Sequence, residues 1–150
     1  MLLPAASLLI ALGVQVLCQL FKVVIYSIRD RRLAPRYFVT AGGMPSAHSA
    51  FVTALTTAVG MRNGIDSDLF AVSFVFAAIV AYDAYRLRGH VQEHAKRINA
   101  LQKQVRTPES GPAPPAREPV SEMVGHSLAE IAAGIVFGVV GTVAVALVFL

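Results

Sequence analysis

The sequence predicts an all-α membrane protein with about four transmembrane helices and one interfacial amphipathic helix. The first observation is composition: 55% of the 150 residues are hydrophobic and 15% are charged, whereas soluble domains have about 45–50% apolar residues. The second is the distribution of charge, which leaves uncharged runs at 1–21, 37–61, 69–82 and 131–150. Three of these runs are at or near the roughly 20 residues that span a bilayer. A soluble globular enzyme is therefore nearly excluded.

Cysteine content and charge exclude further classes. Cys18 is the single cysteine, so neither an intramolecular disulfide nor a cysteine-based zinc site can form. The isoelectric point of about 9.6 is compatible with a nucleic-acid partner. However, eleven of the 13 Lys and Arg residues lie in 29–36 and 86–117, which flank apolar runs. Membrane topology explains this clustering more simply, so we expect no nucleic-acid partner.

The first three predicted spans follow the hydropathy in order. The helix over about 4–28 has no basic residue before it and no small-residue cleavage site after it, so we expect a retained helix and not a signal peptide. The second helix covers about 45–61 and is opened by Pro45 at a first-turn position. The turn at 62–68, which contains Asn, Gly, Asp and Ser, ends this helix. The third helix covers about 69–87.

The rest of the chain predicts an amphipathic helix, a linker and a fourth span. Apolar residues recur every three or four positions over about 90–105 and leave the basic residues on the other face, as in a helix that lies in the membrane interface. Residues 107–119 hold five prolines and predict a flexible or extended cytoplasmic linker. The fourth span covers about 127–149. We interpret 1–150 as a single integral membrane domain.

The loops differ in Lys and Arg content. The stretches after the first and third helices hold four and seven such residues, whereas the turn between the second and third helices holds one. The positive-inside rule places 29–44 and 86–126 in the cytoplasm and both termini outside. The cytoplasmic face of a bacterial-type plasma membrane then holds Gly42–Ser49, Asp83–Arg88 and Gly125–Glu130, and any site that these polar stretches form opens to the cytoplasm.

Two clusters come from the first two helices. Lys22 and Arg29 are close to two helical turns apart and project from one face; the alternative is that both only extend their charges to the membrane surface. Gly42–Ser49 contains a predicted helix start. The free backbone amides there and the Ser46 hydroxyl form a natural anion site. His48, one turn in, could donate a proton to a leaving oxygen. A plain helix cap with a buried histidine is the alternative.

The remaining clusters lie at the ends of the third and fourth helices. Asp83 either pairs with Arg86 three residues later or binds a cation, while Arg86 or Arg88 could clamp a phosphate with its guanidinium. His126 and Glu130 are four residues apart on one helical face. The carboxylate can fix the imidazole tautomer and leave the other nitrogen free as a nucleophile. A structural His–Glu pair is the alternative.

Taken together, these residues resemble the type 2 phosphatidic acid phosphatase superfamily. The closer resemblance is to its divergent branch of small membrane proteins, related to acid phosphatases and vanadium-dependent haloperoxidases. The resemblance covers most of 15–134 and rests on five blocks: Gln19 to Lys22, GGMPSAHSA, FAVSFVFAAIVAYDAYRLR, Ala95 to Asn99, and GHSLAEIAAG. The order of the second, third and last blocks is specific.

The superfamily motifs map onto this sequence with some departures. Lys22 and Arg29 match the first motif, Lys, six residues and Arg-Pro, except that Asp30 replaces Pro. The second motif, Pro-Ser-Gly-His, is Pro45-Ser46-Ala47-His48 here. His126 and Glu130 match the second half of the third motif, with Glu for Asp. Pro119 and Val120 stand where that motif has Ser-Arg, so Arg86, Arg88 or Arg117 would have to replace its arginine.

The resemblance implies hydrolysis of a phosphomonoester or pyrophosphate without a metal or other cofactor. His126 would form a phosphohistidine, Glu130 would orient it, and His48 would protonate the leaving alcohol. Lys22, Arg29, Ser46 and a substitute arginine, Arg86 or Arg88, would neutralise the phosphate oxygens.

The expected substrate is a lipid phosphate of the cytoplasmic leaflet. Because the superfamily's membrane phosphatases commonly have six helices, a homodimer is one way to enclose the site. Two alternatives stay open. One is a non-catalytic anionic-lipid binding or scaffolding protein of the same fold. The other is a magnesium-dependent variant in which Asp83 and Glu130 bind the cation.

Overall fold

The computed structural model describes residues 6–39, 42–105, 118–122 and 124–149. Five α-helices occupy most of this part of the chain: α1, Ala6–Arg29; α2, Ala47–Asn63; α3, Asp68–Tyr85; α4, Leu87–Val105; and α5, Leu128–Phe149. A short 3₁₀ turn, Pro35–Phe38, lies between α1 and α2. No strand occurs within the described ranges, so the prediction of an all-α protein is confirmed.

Three helical stretches are long and apolar enough to cross a membrane: Ala6–Arg29, Asp68–Gln104 and Leu128–Val148. The middle stretch comprises α3 and α4, which only Arg86 separates. α2 has 17 residues and is about 25 Å long at about 1.5 Å per residue, less than the roughly 30 Å of the hydrocarbon core. The described residues therefore contain three such stretches where four spans are predicted.

The second predicted span forms the central helix of the bundle. α2 makes the most extensive helix contacts in the molecule, with α1, α3 and α5. Its buried residues alternate with half-buried ones over 51–58, because neighbouring helices cover it on several sides. α1, in contrast, buries a single face on which residues recur every three or four positions: Ala11, Val14, Cys18, Lys22 and Tyr26. Cys18 packs in an apolar cluster with Ala47 and Ala50 of α2.

α5 crosses α2 at two glycines four residues apart. A Cβ on Gly138 would lie 2.6 Å from the carbonyl oxygen of Ala50, and a Cβ on Gly134 would collide with the carbonyl oxygen of Ser46. Small residues at this spacing let two helix backbones approach closely within a membrane. The crossing fixes the first turns of α5 against the first turns of α2.

The start of α2 differs from the prediction that Pro45 opens the helix. The Ser46 hydroxyl accepts a hydrogen bond from the Ser49 amide at 3.4 Å, so Ser46 is the N-cap and α2 begins at Ala47. A side-chain oxygen that satisfies a free amide of the first turn sets the boundary more directly than the preference of proline for first-turn positions. Pro45 therefore lies outside the helix, immediately before the N-cap.

α4 begins at Leu87, earlier than the predicted start near residue 90, and it is more than an amphipathic surface helix. Its apolar residues Val91, Ile98 and Leu101 are exposed, as expected for a helix in the interface. Ala95 and Asn99 on the same helix are buried. The predicted proline-rich linker falls largely on 107–117, which lie outside the described residues.

Candidate functional site

A polar cavity of about 370 Å³ lies where α1, α4 and the segment before α5 meet. It is lined by Tyr26, Gly42, Gly43, Gln92, Glu122, Gly125, His126, Ser127 and Glu130. These residues come from four separate parts of the sequence. Two of them, His126 and Glu130, form the pair that the sequence predicts as the nucleophile and its orienting carboxylate.

His126 lies at the inner wall of this cavity. The residue is 5% exposed, and its backbone amide donates to the carbonyl oxygen of Ala84 at 3.3 Å. Its Nδ1 lies 3.4 Å from Oε2 of Glu130. Its Nε2 is buried without a hydrogen-bond partner among the described residues. An imidazole held at Nδ1 by a carboxylate presents a free Nε2 to a reactant.

Glu130 has a second contact that the sequence analysis missed. Its Oε2 accepts a hydrogen bond from the Ser127 amide at 2.8 Å, and its own amide donates to Ser127 Oγ at 3.3 Å. This is a capping box, and the spacing Ser-x-x-Glu is the sequence signal that could have found it. The same carboxylate therefore fixes the start of α5 and contacts His126, so the structural interpretation of the pair applies and the geometry is compatible with the catalytic one.

Burial lowers the pKa of His126 below its ordinary value. The Glu130 carboxylate opposes this shift, because it stabilises the protonated ring through charge and a hydrogen bond. The positive charges of Lys22 and Arg88 lower the pKa further. The net direction is downward, so His126 is neutral at pH 7, the form that a nucleophile requires.

His48, the second residue of α2, lies close to His126. The two ring centroids are 6.4 Å apart and the rings are inclined by 61°. Nδ1 of His48 is buried, and no described residue hydrogen-bonds to it. Buried polar nitrogens without partners are uncommon in proteins. Because two of them lie on neighbouring rings, we take the space between His48 and His126 as the centre of the candidate site.

Lys22 is fully buried (0% exposed) on the inner face of α1. Its Nζ donates a hydrogen bond to the carbonyl oxygen of Gly42 at 3.2 Å. Gly42 lines the polar cavity, so the bond holds the cationic group beside it. The interpretation that Lys22 only extends its charge to the membrane surface does not fit complete burial in the helix bundle.

Arg29 does not lie in the polar cavity. Its side chain is 71% exposed, 4.0 Å from the Asp30 carboxylate, and its guanidinium lies 5.2 Å from the centre of the Tyr26 ring. Instead it lines an apolar groove of about 570 Å³ between α1 and α5. The other residues of this groove are Phe21, Ile25, Tyr26, Met44, Pro45, Ala133, Val136, Phe137 and Val140. Tyr26 lines both the groove and the polar cavity.

Ser46 is fully buried, and its hydroxyl oxygen accepts from the amide of Ser49. The Ser46 amide donates to the Glu130 carbonyl oxygen at 3.0 Å. Ser46 therefore connects the start of α2 to the start of α5. The Ser46 and Ser49 hydroxyl oxygens are 3.1 Å apart, and either hydroxyl can donate to the other.

The structure distinguishes between the two arginines after α3. Arg88 Nε lies 3.2 Å from Oδ2 of Asp83, and the Arg88 side chain is 34% exposed. Arg86 is exposed at the break between the helices. A pairing of Asp83 with Arg86, one of the alternatives for Asp83, is therefore not what the structure shows, and Asp83 pairs with Arg88. Arg86 caps the end of α3 and Arg88 is the second residue of α4, so helical spacing does not carry across the break.

Asp83 and Glu130 each have another partner among the described residues. Asp83 is paired with Arg88, and Glu130 with Ser127 and His126. Within the part of the chain that the structure describes, no three His, Cys, Asp or Glu residues are arranged to hold a metal ion. Arg117, the third arginine considered as a substitute, lies outside the described residues.

The structure draws attention to two residues to which the sequence analysis assigned no role. One is Tyr26, whose hydroxyl accepts a hydrogen bond from the Met44 amide at 3.2 Å. Nothing in the sequence distinguishes Tyr26 from other tyrosines near the membrane surface. The other is Asn99 of α4, and its position four residues after Ala95, on the apolar stripe, is a signal that could have found it.

Comparison with known proteins identifies the family. The profile of the Divergent PAP2 family matches residues 4–141. A relative, the uncharacterized membrane protein YuiD of Bacillus subtilis (strain 168), is 37% identical over 156 residues, and the match covers 99% of each chain. No solved structure matches the chain. The family resemblance drawn from Lys22, the Pro45–His48 motif and the His126–Glu130 pair is thus confirmed, and the chain belongs to the Divergent PAP2 family.

Proposed function

We propose that the protein is a membrane lipid-phosphate phosphatase that hydrolyses a phosphomonoester or pyrophosphate through a phosphohistidine. One observation carries this proposal: the rings of half-buried His48 and buried His126 lie with their centroids 6.4 Å apart, and each ring has a buried nitrogen without a partner among the described residues. Family membership supports the reaction class, because the superfamily includes phosphatases. Glu130 at Nδ1 of His126 gives the nucleophile its orientation.

The reaction divides into two displacements at phosphorus. Nε2 of His126 attacks, the bond to the leaving oxygen breaks, and protonated His48 gives its proton to the departing alcohol or phosphate. Neutral His48 then takes a proton from water, whose oxygen displaces Nε2 and releases inorganic phosphate. The His126 ring returns to its starting state with Glu130 still at Nδ1.

Positive charge at the phosphate oxygens supplies most of the rate acceleration in phosphoryl transfer. Lys22 and Arg88 are the cations best placed for this, since both act electrostatically on His126. Arg88 is our candidate for the missing third-motif arginine, and it would have to exchange Asp83 for phosphate. Ser46 would donate to a phosphate oxygen through its hydroxyl, which can turn away from Ser49. Arg29, at the apolar groove, guides the substrate as it enters.

The neighbouring apolar groove favours a lipid substrate. It runs between two stretches that could span the membrane, α1 and α5, and meets the polar cavity at Tyr26. A lipid phosphate would place its charged phosphate in the polar cavity and its hydrocarbon chain in the apolar groove. We place the site at the cytoplasmic face of the plasma membrane, with four spans and external termini, and a homodimer as the form that encloses it.

Purified protein in detergent should release phosphate from at least one member of a panel of lipid phosphates, including phosphatidate and isoprenoid phosphates. The variants His126→Asn and His48→Asn should lose at least about 10³-fold in kcat, since each removes a step of the covalent route. His94→Asn, which changes an exposed histidine on α4, is the matched control and should keep wild-type turnover. Equal turnover in all four proteins would exclude the mechanism.

The second candidate function is binding of anionic lipids without turnover. It is favoured by one observation: Val120 occupies the position of the superfamily's third-motif arginine, and Arg88 is already paired with Asp83. This function predicts saturable binding of lipid phosphate and no phosphate release across the panel. Loss of release on addition of a chelator would instead point to the magnesium-dependent variant with Asp83 and Glu130.

A further inference from the structure

The carboxamide of Asn99 makes three long-range hydrogen bonds, all to residues 120–122. Asn99 is 8% exposed on α4. Its Oδ1 accepts from the Val120 amide at 2.9 Å, while its Nδ2 donates to the Val120 carbonyl oxygen at 2.9 Å and to Oε1 of Glu122 at 2.7 Å. One carboxamide thus satisfies both backbone groups of Val120 and one side chain of the same segment.

This segment leads directly to His126. Residues 118–122 and 124–127 have no regular secondary structure, so they lack the ladder of backbone hydrogen bonds that fixes a helix or strand. Gly125 adds a close packing contact with α4: a Cβ there would lie 2.9 Å from the Arg88 carbonyl oxygen and 3.0 Å from Gly89 Cα. α4 is therefore the surface on which the chain before His126 rests.

We propose that Asn99 is a positioning residue for the reaction assigned above: its carboxamide fixes Val120 and Glu122 on α4 and thereby holds His126 opposite His48. The inference rests on the proposed function for its kinetic consequences, although the clamp itself is a feature of the structure. Asn99 lines neither the polar cavity nor the apolar groove, so its effect on the reaction passes through the segment.

The amide is the side chain that this arrangement requires. Asn carries one acceptor and two donor hydrogens on a short stem, and all three are used here. The substitution Asn99→Asp would keep only the bond from the Val120 amide and would set a second negative charge against Glu122. The substitution Asn99→Ala would remove all three bonds, so none of them would hold Val120, which is 43% exposed, on α4.

The kinetic test uses Asn99→Ala, Asn99→Asp and the double variant Asn99→Asp/Glu122→Gln. We expect kcat to fall about 10- to 100-fold in the two single variants with KM nearly unchanged, because a small displacement of a reacting group has effects of this size. In the double variant the introduced amide donates to the introduced carboxylate, which removes the repulsion and restores part of kcat.

Asn63→Ala, which changes the only other asparagine in the chain, is the matched control. Unchanged kcat, or a change confined to KM, would overturn the proposal.

A second measurement is independent of turnover. With ¹⁵N-labelled histidine, the His126 ring signal is assigned by its loss in His126→Asn. In Asn99→Ala the titration midpoint of His126 should rise toward about 6.5, the value of a solvated histidine. In the double variant Asn99→Asp/Glu122→Gln the midpoint should return toward the wild-type value. A midpoint identical to that of the wild type would refute the positioning role even if the protein is active. If the wild type shows no turnover, the proposed phosphatase activity fails and this titration still decides the role of Asn99.

Discussion

Glu130 acts on two groups through one oxygen. Oε2 contacts Nδ1 of His126 at 3.4 Å and the Ser127 amide at 2.8 Å. The shorter of these bonds is the helix cap, so the carboxylate would be placed as it is even without the histidine. His126 is oriented by a group that the backbone of α5 already fixes. A catalytic pair built on a capping box needs no separate support for its carboxylate.

Replacement of this carboxylate should move the pH profile in a defined direction. Glu130 raises the pKa of His126, and activity requires the neutral ring, so activity is lost as the pH falls through that pKa. Glu130→Gln removes the negative charge, and the acidic limb of kcat/KM should shift to lower pH while the plateau also falls. The measurement is kcat/KM across the acidic and neutral pH range.

Ser127→Ala is the control for this profile, because it removes the capping hydroxyl and keeps the carboxylate. It should cost about 1 kcal/mol of stability and leave the acidic limb in place. An acidic limb that moves to higher pH in Glu130→Gln would contradict the assignment of His126 as the titrating nucleophile.

The two cations of the first motif should differ in their effect. Lys22 is fully buried beside the polar cavity, whereas the Arg29 side chain is 71% exposed at the groove. Lys22→Met should lower kcat/KM by about 10²- to 10³-fold, the usual range for a buried group that stabilises developing charge. Arg29→Met should lower it less than about tenfold, because an exposed charge is screened by water. Equal losses would show that Arg29 reaches the phosphate.

Among the elements, the α2–α5 crossing sets the distance between the two histidines. Gly138→Ala would place a Cβ 2.6 Å from the Ala50 carbonyl oxygen and should destabilise the fold by about 1–3 kcal/mol. Gly13→Ala is the matched control: it also lies within a helix, but a Cβ there has nothing within 4 Å. It should be neutral or stabilising by up to about 1 kcal/mol. Thermal unfolding in detergent measures both, and equal melting temperatures would contradict the close crossing.

The elements also show which features the sequence could predict. Hydropathy located α1, α3 and α5 to within two residues, because a membrane-spanning helix is specified by its own composition. The pairing of Asp83 with Arg88 could not be read from spacing, since it crosses the break at Arg86. The clamp of Asn99 on Val120 joins residues 21 apart, and a contact of this range depends on how α4 and the later segment pack.

For the molecule as a whole, motif spacing predicted the composition of the site better than its geometry. His48, His126, Glu130 and Lys22 come together as expected. Arg29 does not, because two helical turns from Lys22 carry it beyond the end of the cavity to the mouth of the groove. Residue spacing predicts on which face of a helix a side chain lies, but it does not predict where along the helix axis a cavity ends.

Topology is tested by cysteine labelling of intact cells. Cys18 is buried and is first replaced by Ala. Leu33→Cys and Ile65→Cys then place single thiols at positions 90% and 78% exposed, in the loop before α2 and in the turn after it. A membrane-impermeant maleimide should label the Ile65→Cys variant in intact cells and the Leu33→Cys variant only after lysis, because the positive-inside rule puts residues 29–44 in the cytoplasm. The opposite pattern would place the site outside.

The crossing of α5 over α2 also has a consequence for biosynthesis. The first four helices carry His48, Lys22 and Arg88, whereas His126 and Glu130 belong to the last part of the chain. In the proposed mechanism, a nascent chain that has inserted only α1–α4 would hold the cations and the proton donor without the nucleophile. The proposed hydrolysis would therefore begin only when α5 has packed onto α2, so a chain without this crossing would not act on the bilayer that receives it.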